Sequence, residues 1–149
     1  MATNTGVIFE TVFLSENLPD DERANQLIHC GQRFHKLGLV PKSAGNLSFR
    51  TKNGFIITGT GISLRVIAKE GLVEVVKVEI EKGQILVQAK GRVIPSRESL
   101  LHSVIYESRA EINAVFHVHD RWVLELADKL LIPCTETEQP PGSYELAKE

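Results

Sequence analysis

Between Gly91 and Asp120 the chain reads as a turn, a helix and a strand ending in two histidines, an order that limits the folds open to it. Pro95 and Ser96 form a helix start, with Ser96 placed as N-cap. Leu100, Leu101, Val104 and Ile105 then recur at helical spacing and form one apolar face. Glu98 falls in the expected first turn, where the helix dipole favours its negative charge. After Glu111 the pattern changes to period two. Val115, His117 and His119 then share one strand face, and Ala114, Phe116 and Val118 the other. Two imidazoles on one face suit a metal ion. They equally suit a polar strand end facing solvent or a cleft, because a catalytic zinc usually takes three protein ligands and a water.

The rest of the chain supplies more helices and hairpins. Residues 1–17 fit a strand and a short helix equally poorly, so residues 1–19 are set apart as an N-terminal extension. From Asp20 a helix is expected, with Asp20 or Asp21 as its cap and Ala24, Leu27, Ile28, Gly31 and Phe34 on its inner side. Gly38 ends it. His29 and His35 on this helix read as surface or boundary residues. A strand at Leu47–Arg50, an Asn53-Gly54 turn and a return strand at Phe55–Ile57 make one hairpin. Ile62–Glu70 looks like a short helix. Leu72–Ile80, the turn Glu81–Gln84 and Ile85–Gln88 make a second hairpin. A helix at Arg121–Leu130, with Val123, Leu124, Ala127 and Leu131 inward, precedes a short strand at Ile132–Thr135. A last helix opens at Gly142–Leu146. Helices alternating with antiparallel hairpins imply an α/β fold: a layered α/β/α sandwich around a central, mainly antiparallel or mixed sheet.

Composition removes several classes of function. The 149 residues fit one domain, and 42% hydrophobic content is enough to bury a core. A net charge of -2, with basic residues scattered rather than striped, argues against nucleic-acid binding. No apolar run approaches the roughly 20 residues of a membrane helix, so no membrane partner is expected. Two distant cysteines, Cys30 and Cys134, do not make a disulfide framework, and a reducing cytoplasm is the expected compartment.

Three further motifs bear on chemistry. Gly45-Asn46 and Thr58-Gly59-Thr60-Gly61 allow backbone N–H groups to converge on an anion, although each alone is also an ordinary turn. Ser96-Arg97 at a helix start is the better anion site, since free N–H groups, a hydroxyl and a guanidinium come together there.

Taken in order, Ser43-Ala44-Gly45-Asn46-Leu47-Ser48, Ile57-Thr58-Gly59-Thr60-Gly61, Pro95-Ser96-Arg97-Glu98 with His102, and His117-Val118-His119 resemble the class II aldolase/adducin family. The resemblance runs over residues 20–149. It implies a class II aldolase-like fold, a homotetramer and a divalent metal, usually Zn²⁺. It also implies a small phosphorylated sugar as substrate, handled by aldol cleavage through an enediolate. Epimerisation, dehydration, or an adducin-like module without catalysis are the alternatives within the family. By position, Gly45, Asn46, Thr60, Gly61 and Ser96 would hold the phosphate. Arg97 stands where the family has a second serine and would bind phosphate or another anion, such as a carboxylate. Glu98 matches the acid/base glutamate, and His117 and His119 match two of three metal ligands. The third ligand is a histidine beyond the Gly-Ser-x-Glu-Leu helix. No histidine follows His119, so the domain reads as short at its C-terminal end.

Overall fold

The computed structural model describes residues 8–149. Six strands form one sheet in the order β1-β5-β4-β3-β2-β6: β1 (Ile8–Ser15), β2 (Asn46–Thr51), β3 (Gly54–Thr58), β4 (Leu72–Glu81), β5 (Gln84–Lys90) and β6 (Ala114–His117). β1 runs parallel to β5 and every other pairing is antiparallel. The sheet is therefore mixed, and part of the segment expected to be an extension supplies its edge strand. Four helices accompany it: α1 (Arg23–Lys36), α2 (Ser99–Ser108), α3 (Arg121–Leu130) and α4 (Tyr144–Lys148).

Alternation along the strands builds a core on each face. Leu47 and Phe49 of β2, Ile56 of β3 and Leu72 of β4 pack with Ala24 and Leu27 of α1. Phe55 and Ile57 of β3, Val73 and Val75 of β4 and Val87 of β5 pack with Leu100 and Tyr106 of α2 and Ala147 of α4. At roughly 1.5–3 kcal/mol for each fully buried aliphatic or aromatic side chain, these two layers dominate the stability. The result is the expected sandwich.

Four local expectations fail, each for a physical reason. Residues 62–70 form no helix beyond a single 3₁₀ turn at Lys69–Gly71, because Leu64 and Ile67 are drawn into the α1 core while isolated turns satisfy the backbone. The regular helix begins at Ser99 rather than beside Ser96. Glu98 is the cap residue, and Ser96 closes a preceding turn by accepting the Glu98 N–H at 3.3 Å. Ile132–Thr135 pairs with no strand: Pro133 has no N–H to offer. Helix α3 has an apolar stripe but no buried residue; Leu124 is 71% and Leu131 89% exposed. In α1 the cap position falls on Glu22, which makes no side-chain cap bond; Asp21, one residue earlier, accepts the Arg23 N–H at 2.9 Å. Among the described residues no helix is long and apolar enough to cross a membrane.

Candidate active-site cleft

Four segments far apart in sequence meet because of the pairing just described. Antiparallel register sets Asn46 at the start of β2 opposite His117 at the end of β6. Gly59 bridges Pro95, while Thr60 N–H donates to the Ile94 carbonyl at 2.9 Å and Ser96 N–H to the Thr58 carbonyl at 3.2 Å. The strand β6 ends at His117, and His119 is held just beyond it by its N–H on the Leu39 carbonyl at 2.7 Å. Gly45 has φ +77°, and a Cβ there would lie 2.7 Å from the His117 carbonyl, so only glycine lets these segments approach so closely.

The product is a cleft of about 630 Å³. Gly45, Asn46, Thr60, Gly61, Ser96, Arg97, Glu98, His117 and His119 all line it, so every residue singled out for a site role lies on one surface. Pro141 and Leu146 from the C-terminal segment add an apolar wall, which nothing in the sequence marked out.

At its floor Glu98 is 8% exposed. Asn46 Nδ2 donates to Glu98 Oε2 at 2.7 Å and lies 3.3 Å from His117 Nδ1. His117 Nδ1 also hydrogen-bonds to Glu98 Oε2. Burial would raise the Glu98 carboxyl, but the hydrogen bonds from His117 and Asn46, with the charges of His117 and His102, hold it below the ordinary glutamate value. An ionised carboxylate oxygen only accepts, so His117 presents N–H at Nδ1 and its free nitrogen is Nε2. The His117 and His119 rings stack with centroids 4.8 Å apart and planes 29° apart, which keeps both on one side as the period-two reading required.

Behind this floor runs a feature the sequence reading missed. Glu98, His102 and Tyr106 recur every four residues along α2, and Asn46, Ser48 and Arg50 every two along β2. They interlock. Ser48 Oγ is 2.7 Å from both His102 Nδ1 and Tyr106 Oη, and the Arg50 guanidinium lies 4.8 Å over the Tyr106 ring. Arg50 also donates to the carbonyls of Tyr106, Arg109 and Ile112, closing the C-terminal end of α2. The signal was available: a polar stripe at period four on a helix and another at period two on a strand.

The donor set suits a metal in part. Two stacked imidazoles at the cleft, one with its second nitrogen fixed by a carboxylate, fit a divalent cation in kind and place. They amount to two ligands, and no group of three His, Cys, Asp or Glu with metal-binding geometry forms among the described residues.

A mixed sheet between helices, carrying a buried carboxylate, two imidazoles and anion-ready turns in one cleft, defines a class II aldolase-like protein. The family described as Class II Aldolase and Adducin N-terminal domain matches residues 25–147, and the chain belongs to it. It is 28% identical over 131 residues to a methylthioribulose-1-phosphate dehydratase of Leptospira interrogans, covering 84% of this chain and 49% of that protein. It is 35% identical over 102 residues to an L-fuculose phosphate aldolase of Haemophilus influenzae, covering 66% of this chain and 42% of that protein. The crystal structure of L-fuculose-1-phosphate aldolase from Thermus thermophilus superposes with a TM-score of 0.57 at 30% identity, covering 71% of this chain and 50% of that one. The chain thus spans about half the length of the curated relatives it matches.

Proposed function

We propose that this chain carries the acid/base and anion-binding half of a metal-dependent lyase acting on a small phosphorylated ketose. One observation carries the reading: Glu98 is buried yet held ionised at the floor of a cleft that also presents both imidazoles and the anion-binding turns. Thr60, Gly61, Ser96 and Arg97 hold the phosphate, with Arg97 contributing a charge-assisted donor. That fixes the substrate so that the carbon next to its carbonyl meets Glu98; in cleavage the carboxylate takes the hydroxyl proton of the following carbon as the carbon–carbon bond breaks and returns it to the enediolate carbon, and in the reverse direction it removes that carbon-bound proton. His117 and His119 would hold the divalent metal, a Lewis acid that stabilises negative charge on the substrate oxygens.

The reaction proposed is aldol cleavage through an enediolate. Dehydration is the second reading, favoured by the similarity to a methylthioribulose-1-phosphate dehydratase; there Glu98 removes the proton from the carbon next to the carbonyl and hydroxide leaves the following carbon as water. Screening ketose phosphates for cleavage and for water loss, with metal content measured on the same samples, separates the two. Glu98→Gln preserves size and most hydrogen bonding while removing the base, so turnover should fall by roughly 10² to 10⁴ with binding little changed. Normal turnover by that variant would move the proton to another group and end the reading.

A further inference from the structure

The two edges of the sheet are built differently. At one, β6 is four residues long. At the other, β1 runs for eight residues, Ile8–Ser15, with Glu10 as its one charge and neither proline nor lysine. Edge strands usually carry such residues, because a row of unpaired N–H and C=O groups recruits another strand. One side of β1 is taken by β5. Beyond that pairing, the one main-chain bond of β1 among the described residues is its Ser15 carbonyl accepting the Gly91 N–H at 3.0 Å. The groups on its outer side therefore have no partner there. Ile8, Val12, Phe13 and Leu14 are 55%, 41%, 42% and 50% exposed along the same strand. The strand also lies outside residues 25–147, so this edge is not one that the family domain supplies.

We propose that β1 pairs with β1 of a second copy of this chain, antiparallel about a two-fold axis through Thr11, so that one sheet continues into the other. The register argues for a copy as the occupant. A two-fold axis perpendicular to the sheet keeps every residue on its own face, so residues of like parity oppose and the axis passes through one residue. Through Glu10 it would set two carboxylates directly opposite each other, which destabilises. Through Val12 it would draw the irregularity between Phe13 and Ser15 into the pairing. Through Thr11 it avoids both. Phe9 then meets Phe13 of the partner subunit, and Glu10 meets Val12 of the partner subunit, each pair occurring twice by symmetry. Aromatic pairs across strands are favourable, and no charge opposes Glu10. Thr11 meets its own copy. Its Oγ1 is buried without a hydrogen-bond partner among the described residues, and a turn about χ1 lets the two hydroxyls bond each other.

Opposite charges at one position test this register. Val12→Glu sets a carboxylate against Glu10 of the partner subunit twice, whereas Val12→Lys sets an ammonium there twice. Sedimentation equilibrium of the purified chain over a range of concentrations should show wild type associating. Val12→Glu should raise the dissociation constant roughly tenfold, and Val12→Lys should leave it unchanged or lower it. Any general effect of placing a charge on an edge would weaken both variants alike. Wild type that stays monomeric overturns the proposal. So does an association that neither variant alters, or that both weaken equally. Deuterium uptake of the wild type needs no substitution and decides the matter if Val12→Glu does not fold. Amides of residues 8–15 should exchange more slowly as protein concentration rises through the association, and uptake there that ignores concentration overturns the pairing.

Discussion

His102 gives the sharpest test of the buried seam between α2 and β2. It is 0% exposed, its ring lies 6.5 Å from that of Phe55, and its Nδ1 is bonded to Ser48 Oγ. Burial lowers its pKa from 6.5 to about 4; the Glu98 charge opposes that shift and the His117 charge adds to it. The folded protein therefore keeps this ring neutral over a range in which the unfolded chain protonates it. The unfolded state binds more protons between those two values, so stability is complete above 6.5 and is lost as pH falls toward 4. Each unit below 6.5 costs about 1.4 kcal/mol, so about 2 kcal/mol should be gone near pH 5. His102→Gln removes the titration but keeps an amide that can bond Ser48. At neutral pH the variant should be the less stable by roughly 1–3 kcal/mol, because the ring packing is lost. Near pH 5 that gap should shrink by about 2 kcal/mol, since only the wild type carries the penalty. Urea unfolding followed by circular dichroism at both pH values measures it. Other acidic groups titrate in both proteins and cancel in the difference. A gap that stays constant from neutral pH to about pH 5 refutes the claim that His102 is buried and neutral.

Three further perturbations probe the cleft. Arg97→Glu should weaken inorganic phosphate by more than tenfold, about 1.4 kcal/mol, because repulsion replaces a charge-assisted donor; calorimetry on both proteins shows it. Replacing His117 and His119 together with Ala should abolish uptake of divalent metal, and equal metal content by atomic absorption in both forms would remove these residues as ligands. Gly142→Ala forces a side chain onto a φ of +74° with its Cβ 2.8 Å from the Arg97 carbonyl. It should cost on the order of 1–3 kcal/mol in denaturant unfolding and weaken phosphate binding by displacing Arg97.

What the sequence made legible follows from how local each signal is. Both central hairpins were readable because turn residues and strand alternation agree over short stretches, and the Gly38 helix end is equally local. Strand β1 was not, because its pairing with β5 lies more than seventy residues away and Ile8, Val12, Phe13 and Leu14 remain largely exposed on an edge. The helix expected at residues 62–70 failed to a tertiary demand, the burial of Leu64 and Ile67. For α3 the amphipathic pattern was real, but a pattern shows only that a face is apolar; it does not say what covers it. The site residues could be listed from motifs, whereas their partners could not. The direction of the Asn46 amide depends on Glu98, fifty-two positions along the chain.

The seam also explains why polar groups occupy the middle of this sandwich at all. A buried hydroxyl, imidazole or phenol is costly unless paired, so Ser48, His102 and Tyr106 are tolerated only where β2 and α2 meet in one register. Slipping β2 by one residue would turn Asn46 and Ser48 to the opposite face, into the layer built on Leu27 and Leu64, and strand every one of these groups. An apolar seam would allow many such slips at small cost, because hydrophobic contact is not directional. Asn46 and Glu98 are the last rung of the same ladder and the one that opens on the cleft. The rungs behind it therefore fix which oxygen of Glu98 is engaged and which is free, so the placement of the acid/base group follows from the register of the fold.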